Sequence, residues 1–355
     1  MDRYLMPGKL TGMSTVSLEV RIGDLFLKNP LIAASGTYGP DSFELIPPSL
    51  FGAVCTKAVT LNPVEGNKPP RLFEVKGGLI NRIGLQNPGV NQFIGDIYPR
   101  YCQYDTPVII NVAGFAVNEY LKVLKILEEN IKDSVIYELN ISCPNVEKGG
   151  MAIAQHLPSL KRLLTKAREI TNKPLWVKLP PQGDLNKLLK VSEETLVEAV
   201  VIANTYRALV IDKETGEIYI GGLSGPAIKH LTLNLVNQAR QLTPLPIIGC
   251  GGVGDLESLM QYLKLGARAV QLGTSLFSNP DTPSTIISEL TNFLNTKNLN
   301  SLHDYLHPPG SFKVIDKREK GVGNLQLGSQ KSIKGRVFNA RNIIRVKEIK
   351  SDEDS

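Results

Sequence analysis

Short apolar runs alternate along the chain with longer stretches in which apolar residues recur every three or four positions. The short runs are rich in β-branched residues and are bounded by Gly, Pro, Asn or Asp, which is typical of buried strands. The longer stretches have the amphipathic period of surface helices. Strands are predicted at residues 30–34, 53–58, 107–112, 135–141, 174–179, 199–204, 246–249 and 267–272. Helices are predicted at residues 118–129, 160–170, 184–197, 226–242, 255–265 and 283–294.

Eight strand units, each followed by helical or loop material over about 250 residues, predict an α/β fold, the (β/α)8 TIM barrel. A doubly wound sheet is the alternative, and it predicts a G-x-G-x-x-G motif after the first strand. The motif occurs instead at 249–254, after the seventh strand. Residues 18–28 alternate about a Gly-Asp turn and predict an N-terminal β-hairpin. The connection 60–106 is rich in Gly, Pro and Asn and predicts loops as well as a helix.

Composition divides the chain into two parts. Residues 1–305 are predicted to form the barrel domain, and residues 306–355 a basic, polar C-terminal extension that is disordered or serves in docking. Within the extension, R-V-F-N-A-R-N-I-I-R-V at 336–346 could form a strand or a docking segment. The net charge of +6 is otherwise dispersed, so no nucleic-acid partner is predicted.

Cysteine spacing limits the inorganic chemistry of the chain. The four cysteines lie far apart without a C-x-x-C pair, which argues against a local zinc or iron–sulfur motif. Scattered cysteines are typical of a reducing cytosol. No apolar run suits a signal peptide or a bilayer span, so a cytoplasmic enzyme without a metal or a membrane is expected.

Polar residues follow the predicted strands where a barrel carries its active site, at the C-terminal ends. The stretch V-I-Y-E-L-N-I-S-C-P-N at 135–145 ends in two amides and the Cys143 thiol. Amides suit a flat neutral ring, and a thiol can act as a base or nucleophile. A buried structural cysteine is the alternative. Glycine-rich turns after strands seven and eight predict a phosphate site, and strand-end Lys57 and Lys178 predict an anionic or electron-rich ligand such as FMN.

Several motifs together resemble the class 1 dihydroorotate dehydrogenases, in the correct order from about residue 18 to residue 277. Cysteine at 143 is similar to the soluble class, and G-L-Q-N with G-G-L-S-G is more similar to the NAD-linked 1B catalytic subunit than to the fumarate-linked 1A enzyme. The motifs are A-S-G at 34–36, T-K-A at 56–58, G-L-Q-N-P-G at 84–89, N-V-A-G at 111–114, N-I-S-C-P-N at 140–145, N-T at 204–205 and G-G-L-S-G at 221–225.

The resemblance implies a role for each matching residue in oxidising dihydroorotate to orotate for pyrimidine synthesis. Cys143 is implied as the base that takes the C5 proton while hydride passes from C6 to FMN. The implied substrate-binding residues are Lys57, Asn81, Arg82, Ile83, Gly84, Leu85, Asn140, Asn145, Asn204 and Thr205. The implied FMN-binding residues are Ser35, Lys57, Ala58, Asn111, Asn140, Lys178, Ala203, Gly225, Gly251, Gly252, Gly273 and Thr274.

The resemblance also implies partners. A 1B catalytic subunit takes an electron-transfer subunit with FAD and a [2Fe-2S] cluster, and the class forms homodimers or heterotetramers. Three positions depart from the pattern: Arg82 replaces a small residue, Ala203 replaces a bulkier aliphatic, and the 205–221 link is short for a 1B enzyme.

Three other readings of the sequence remain open at this point. One is an enzyme like dihydropyrimidine dehydrogenase, although its cysteine turn tends to carry His where this chain has Asn145. Another is an FMN enzyme like tRNA dihydrouridine synthase, and the third is a flavin-binding protein without activity. The third reading gives no reason for Cys143, Lys57 and several asparagines to share one rim.

Overall fold

The computed structural model describes residues 16–142 and 150–306 of the chain. Its strands are short, and most are formed by runs of Val, Ile, Leu and Ala, which favour a pleated, buried backbone. They are β1 (Val20–Ile22), β2 (Leu25–Leu27), β3 (Leu31–Ala33), β4 (Ala53–Cys55), β5 (Leu72–Val75), β6 (Gly78–Asn81), β7 (Val108–Val112), β8 (Ile136–Asn140), β9 (Leu175–Lys178), β10 (Ala199–Ile202), β11 (Tyr206–Ile211), β12 (Ile218–Ser224), β13 (Ile247–Cys250) and β14 (Ala269–Leu272).

Eight of these strands close into a parallel barrel, in the order β3-β4-β7-β8-β9-β10-β13-β14. Each lies within or overlaps one of the eight predicted runs, so the predicted barrel is confirmed. Every residue of β7, β8 and β9 is buried, because helices cover the outside of the barrel while side chains fill its interior.

The helices between the barrel strands bury their apolar stripes on the barrel. Asp255 begins one of them with a capping box, in which its carboxylate accepts from the Ser258 amide and the Ser258 hydroxyl accepts from the Asp255 amide. The helices are α1 (Val90–Gln92), α2 (Tyr98–Tyr101), α3 (Val117–Asn130), α4 (Gly150–Gln155), α5 (Leu157–Ile170), α6 (Leu185–Glu194), α7 (Lys229–Leu242), α8 (Leu256–Lys264), α9 (Ser275–Ser278), α10 (Thr282–Thr296) and α11 (Leu302–Leu306). Single turns of 3-10 helix occupy Pro40–Ser42, Pro48–Leu50 and Pro226–Ile228, and a π-helical turn occupies Phe93–Ile97.

The predicted N-terminal hairpin is confirmed. β1 and β2 pair antiparallel with Val20 opposite Leu27, and Gly23 takes φ +62° in the two-residue turn. This left-handed conformation suits glycine and closes the tight turn.

A four-stranded antiparallel sheet, in the order β11-β12-β6-β5, was not predicted from the sequence. We name it the side sheet. Its two hairpins come from the connections after β4 and after β10, and β6 pairs with β12 through Asn81 and Gly222. These connections were expected to hold loops plus a helix and a short link, because β5 and β6 have only four residues each and their pairing with β12 is a tertiary contact.

Two expectations stay untested by the fold. The domain division at 305 and 306 and the extension at 306–355 remain predictions, since residues 307–355 lie outside the described part. Among residues 16–142 and 150–306, no helix combines the length and the apolarity needed to cross a membrane.

Candidate active site

A buried carboxylate lies inside the barrel near the C-terminal ends of its strands. Glu138 of β8 has no exposed surface, and its Oε1 accepts hydrogen bonds from Asn111 Nδ2 at 2.6 Å and Cys55 Sγ at 3.5 Å. Its Oε2 accepts from Gln271 Nε2 at 2.6 Å. The donors come from β7, β4 and β14, which lie one, two and four strands away from β8 around the barrel, so closure of the barrel is what surrounds one acidic group with polar partners.

Lys178 of β9 lies on the far side of Gln271 from this carboxylate. Its Nζ donates to Gln271 Oε1 at 2.7 Å, and the side chain is buried. Burial opposes its charge, whereas the nearby Glu138 carboxylate favours it, and the pKa of Lys178 lies above the ordinary lysine value. Burial raises the pKa of the Cys55 and Cys250 thiols, so both keep their protons at neutral pH. The site therefore holds a lysine cation whose counter-charge is Glu138.

A row of amide and hydroxyl side chains runs from Asn111 toward the rim of the barrel. Asn140 Nδ2 donates to Asn111 Oδ1 at 3.3 Å, and Asn140 Oδ1 accepts from the Ser142 hydroxyl at 3.0 Å. Asn204 Nδ2 donates to Ser142 Oγ at 2.8 Å, and Asn204 Oδ1 accepts from the amide of Thr205 at 2.7 Å. The strand ends β7, β8 and β10 are thus joined by one hydrogen-bonded row.

The loops that follow β12, β13 and β14 meet and pack closely through glycine residues. Gly225 takes φ +96° and Gly252 takes φ +67°. A Cβ on Gly252 would lie 2.7 Å from Lys229 Cβ, and one on Gly225 would lie 2.7 Å from Gly78 Cα. Only glycine fits this close approach. Thr274 Oγ1 donates to Ser224 Oγ at 2.6 Å, which ties the loop after β14 to the end of β12.

The segment 81–85 lies at the end of β6 in the side sheet. Asn81 Nδ2 donates to Gly222 O at 3.2 Å, and Gly84 and Leu85 both have positive φ. The Arg82 guanidinium donates to the Lys68 and Pro70 carbonyls and lies 5.0 Å from the Tyr219 ring centroid. The extra cation at 82 is therefore engaged on the side sheet.

At the rim, Lys57 follows β4 and is exposed. Its Nζ donates to Gln86 Oε1 at 3.1 Å, which joins it to the segment after Leu85. Desolvation and the neighbouring charge of Arg71 lower the pKa of Lys57 below the ordinary lysine value.

The structure joins several of the predicted site residues by hydrogen bonds or close contacts, and their roles stay predictions. Asn111, Asn140 and Asn204 share one row, and Gly225, Gly252 and Thr274 lie where three loops meet. The remaining predicted residues lie at strand ends or in the loops that follow them, and these are Ser35, Ala58, Ala203, Gly251 and Gly273. Cys143 and Asn145 lie outside the described residues.

Sequence reasoning missed Glu138, Gln271 and Ser142. Glu138 and Gln271 each interrupt an otherwise apolar strand, in I-Y-E-L-N and A-V-Q-L. An ionisable or amide residue inside a buried strand is a usable signal, because such a group needs a partner. Among residues 16–142 and 150–306, no three His, Cys, Asp or Glu side chains could together hold a metal.

Comparison with known proteins identifies the family. The family model for dihydroorotate dehydrogenase matches residues 17–294. The catalytic subunit of dihydroorotate dehydrogenase B (NAD+) of Thermoanaerobacter pseudethanolicus is 36% identical over 84% of this chain and 100% of its own length. The corresponding subunit of Caldicellulosiruptor bescii is 38% identical over 81% of this chain and 98% of its own. A putative dihydroorotate dehydrogenase A (fumarate) of Solibacter usitatus is 37% identical over 82% of this chain and 97% of its own.

The fold has a solved counterpart. The crystal structure of the dihydroorotate dehydrogenase of Eimeria tenella in complex with ferulenol superposes with a TM-score of 0.68. It is 21% identical, and the match covers 85% of this chain and 90% of that chain. At this identity the likeness shows the fold alone, whereas the family rests on the sequence matches. The chain belongs to the dihydroorotate dehydrogenase family, the TIM-barrel oxidoreductases of pyrimidine biosynthesis that its sequence motifs resemble.

Proposed function

We propose that the chain oxidises dihydroorotate to orotate with FMN bound at the C-terminal end of the barrel. The observation that carries this proposal is the buried Lys178, set beside a row of amides in a chain of this family. A cation inside a barrel needs a counter-charge or an electron-rich ligand. The amides supply donors and acceptors for flat, neutral rings.

The residues present fit FMN. Gly225, Gly251 and Gly252 pack so closely against Gly78, Thr232 and Lys229 that a Cβ would not fit. Backbone amides without side chains suit a phosphate group. Lys178 and Asn111 are buried, polar and close to the Glu138 carboxylate. Buried polar side chains of this kind can form hydrogen bonds to a flavin ring. Bound FMN supplies the hydride acceptor. The other residues proposed to hold it are Ser35, Lys57, Ala58, Asn140, Ala203, Gly273 and Thr274.

The substrate is proposed to lie between the amide row and the segment 81–85. Asn140, Asn145, Asn204 and Thr205 hold the pyrimidine ring and its carboxylate, and the Lys57 ammonium adds a positive charge at the rim. The backbone of 81–85 adds donors and covers the ring, excluding water from the reacting carbons.

Cys143 is proposed as the general base that takes the proton from C5, while the hydride leaves C6. A positioned base supplies about 10² to 10⁴-fold in rate. Cys143→Ser is expected to keep its yellow FMN while flavin bleaching by dihydroorotate under argon slows by roughly that factor at neutral pH. Stopped-flow absorbance measures the rate.

Cys102→Ser is the matched control, since Cys102 is an exposed thiol whose Sγ lies 4.0 Å from Asp133. It is expected to bleach at the wild-type rate. An unchanged rate in Cys143→Ser would remove Cys143 from the mechanism, and a wild-type chain that dihydroorotate does not bleach would refute the proposed function.

The chain is further proposed to work in the cytoplasm as the catalytic subunit of a 1B enzyme, in a homodimer or heterotetramer. The relatives named as dihydroorotate dehydrogenase B (NAD+) catalytic subunits support a partner that carries FAD and a [2Fe-2S] cluster. The 37% identical relative named for fumarate supports a second candidate, a 1A-like enzyme that acts without that partner.

A further inference from the structure

Every hydrogen bond along the amide row points in one direction, toward Glu138. The Asn204 amide donates to Ser142 Oγ, and the Ser142 hydroxyl donates to Asn140 Oδ1. The Asn140 amide donates to Asn111 Oδ1, and the Asn111 amide donates to Glu138 Oε1. Four donors in sequence thus end on one carboxylate.

A second branch ends on the same carboxylate from the opposite side. Lys178 Nζ donates to Gln271 Oε1 at 2.7 Å, and Gln271 Nε2 donates to Glu138 Oε2 at 2.6 Å. An ammonium group has no acceptor, so the Gln271 carbonyl must face Lys178 and its NH2 group must face Glu138. The Cys55 thiol, which burial keeps protonated, donates to Glu138 as well.

Glu138 therefore faces only donors, and an ionised carboxylate is the side chain that only accepts. A side-chain amide whose neighbours can both donate and accept is able to flip, which exchanges the positions of its carbonyl and its NH2 group. Here a turned Asn111 would set its carbonyl against the carboxylate, and a turned Gln271 would do the same. The carboxylate thus fixes the orientation of Asn111 and Gln271, while the backbone amides of Ser142 and Thr205 hold Oδ1 of Asn140 and of Asn204.

We propose that Glu138 is a positioning residue that sets the orientation of Asn111 and Gln271, and through Asn111 supports Asn140, so that it determines the pattern of donors and acceptors offered to FMN and orotate. The inference rests on the proposed function for the identity of those ligands. Glu138 itself lies behind Asn111 and Gln271 and acts through them, which separates its role from that of Cys143.

Replacement by the isosteric amide tests the proposal. In Glu138→Gln one branch must face the new NH2 group, so either Gln271 or Asn111 has to turn. A turned Gln271 presents its NH2 group to the Lys178 ammonium. A turned Asn111 presents its NH2 group to that of Asn140, whose own orientation is held by the Ser142 backbone amide.

The double variant Glu138→Gln/Gln271→Glu gives every donor an acceptor again and reverses only the bond between positions 138 and 271. The carboxylate at 271 accepts from Lys178 and from the amide at 138, whose carbonyl accepts from Asn111. Composition, total charge and side-chain sizes are the same as in the wild type. The only difference is that the carboxylate is at position 271 and no longer at position 138.

Orotate affinity, read from the change in flavin absorption on titration, and the flavin midpoint potential are the two measurements. Glu138→Gln is expected to weaken orotate binding roughly 5- to 150-fold, the effect of leaving a buried donor without an acceptor. It is also expected to raise the midpoint potential, because loss of the Glu138 charge leaves the Lys178 cation without its counter-charge and so favours the electron-rich reduced flavin. The double variant is expected to return orotate affinity to within about threefold of wild type.

Glu198→Gln is the matched control. Its carboxylate accepts from the Leu175 amide and from Arg168 at 2.7 Å each, at the start of β9 and at the opposite end of the barrel. It is expected to leave orotate affinity and midpoint potential unchanged, although it removes a partly buried carboxylate.

Three results would overturn the inference. One is a Glu138→Gln variant that binds orotate like the wild type. Another is a double variant that binds orotate as weakly as the single variant does. If both variants fail to fold to the same extent, this result also overturns the inference. The third is a wild-type chain that binds neither FMN nor orotate, and this alone among the three would refute the proposed function as well.

Discussion

Asn204 lies at the end of the amide row that is farthest along the hydrogen bonds from Glu138, and it is proposed to bind the substrate. It is half-buried, and it holds both Ser142 Oγ and the amide of Thr205. Asn204→Ala is expected to weaken orotate binding by about 1–3 kcal/mol, since a buried partner loses its hydrogen bond. FMN content should stay at the wild-type level. Titration of the holoenzyme with orotate gives the affinity, and absorbance after gel filtration gives the FMN content.

Asn118→Ala provides the control, because Asn118 is an exposed amide on α3 whose Oδ1 lies 3.5 Å from Arg162. If Asn204→Ala released FMN and kept its orotate affinity, Asn204 would belong to the flavin side of the site rather than to the substrate side.

At the scale of single residues, the sequence identifies polar site residues that end an apolar run, but it does not identify those that lie within one. Lys178, Asn140 and Asn204 stand at predicted strand ends, where a barrel places its chemistry. Glu138 and Gln271 stand within strands, and their partners are 27 to 133 positions away in the chain. Only the lateral order of strands and their register show that these partners meet.

At the scale of secondary-structure elements, α8 offers a test of local stability next to the glycine loop 251–254. The Asp255 carboxylate accepts from the Ser258 amide at 2.7 Å and begins the helix. Asp255→Ala is expected to lower the free energy of unfolding by about 0.5–2 kcal/mol at neutral pH, the usual effect of losing an N-cap. Urea unfolding followed by circular dichroism measures the difference.

The same difference should depend on pH. Burial opposes the charge on Asp255, but hydrogen bonds from Ser258 outweigh it and hold the pKa of Asp255 below its ordinary value. The folded state therefore binds this proton less readily than the unfolded state does. The charged cap stabilises the protein above about pH 4, the unfolded value, and its effect fades as pH falls through the lower folded value. A gap between wild type and variant that widened on acidification would contradict this.

Helices with a clear amphipathic period and apolar barrel strands bounded by turn residues could be predicted from the sequence, whereas the strands of the side sheet could not. The eight barrel strands form apolar runs bounded by turn residues, and the longer helices α3, α5 and α10 carry clear amphipathic faces. The side sheet is built from hairpins whose strands β5 and β6 have four residues each. Their pairing with β11 and β12 is a tertiary contact, so no local pattern reports it.

At the scale of the whole molecule, the sequence and the fold bear on which acceptor takes the electrons from the reduced flavin. The cysteine spacing offers no iron–sulfur site, and G-x-G-x-x-G at 249–254 lies after β13 rather than in a dinucleotide-binding unit. The isolated chain is therefore expected to reduce artificial dyes with dihydroorotate but not NAD. Parallel anaerobic assays with NAD, fumarate and a dye measure this. NAD reduction by the pure chain would refute the partner, and fumarate reduction would move the protein to the 1A group.

The side sheet also sets the order in which the molecule can assemble. Asn81 and Gly222 are 141 positions apart, and the hairpins they belong to start from β4 and β10. Closing so long a loop costs entropy before any contact repays it, so the junction of β6 and β12 should form after the barrel strands between them have paired. In the native state that junction is then the first to open, uncovering the segment 81–85 while the barrel stays folded. We expect amide hydrogen exchange to be faster in β6 and β12 than in β8. Such a difference would mean that the β6–β12 junction forms last during folding and opens first in the native state.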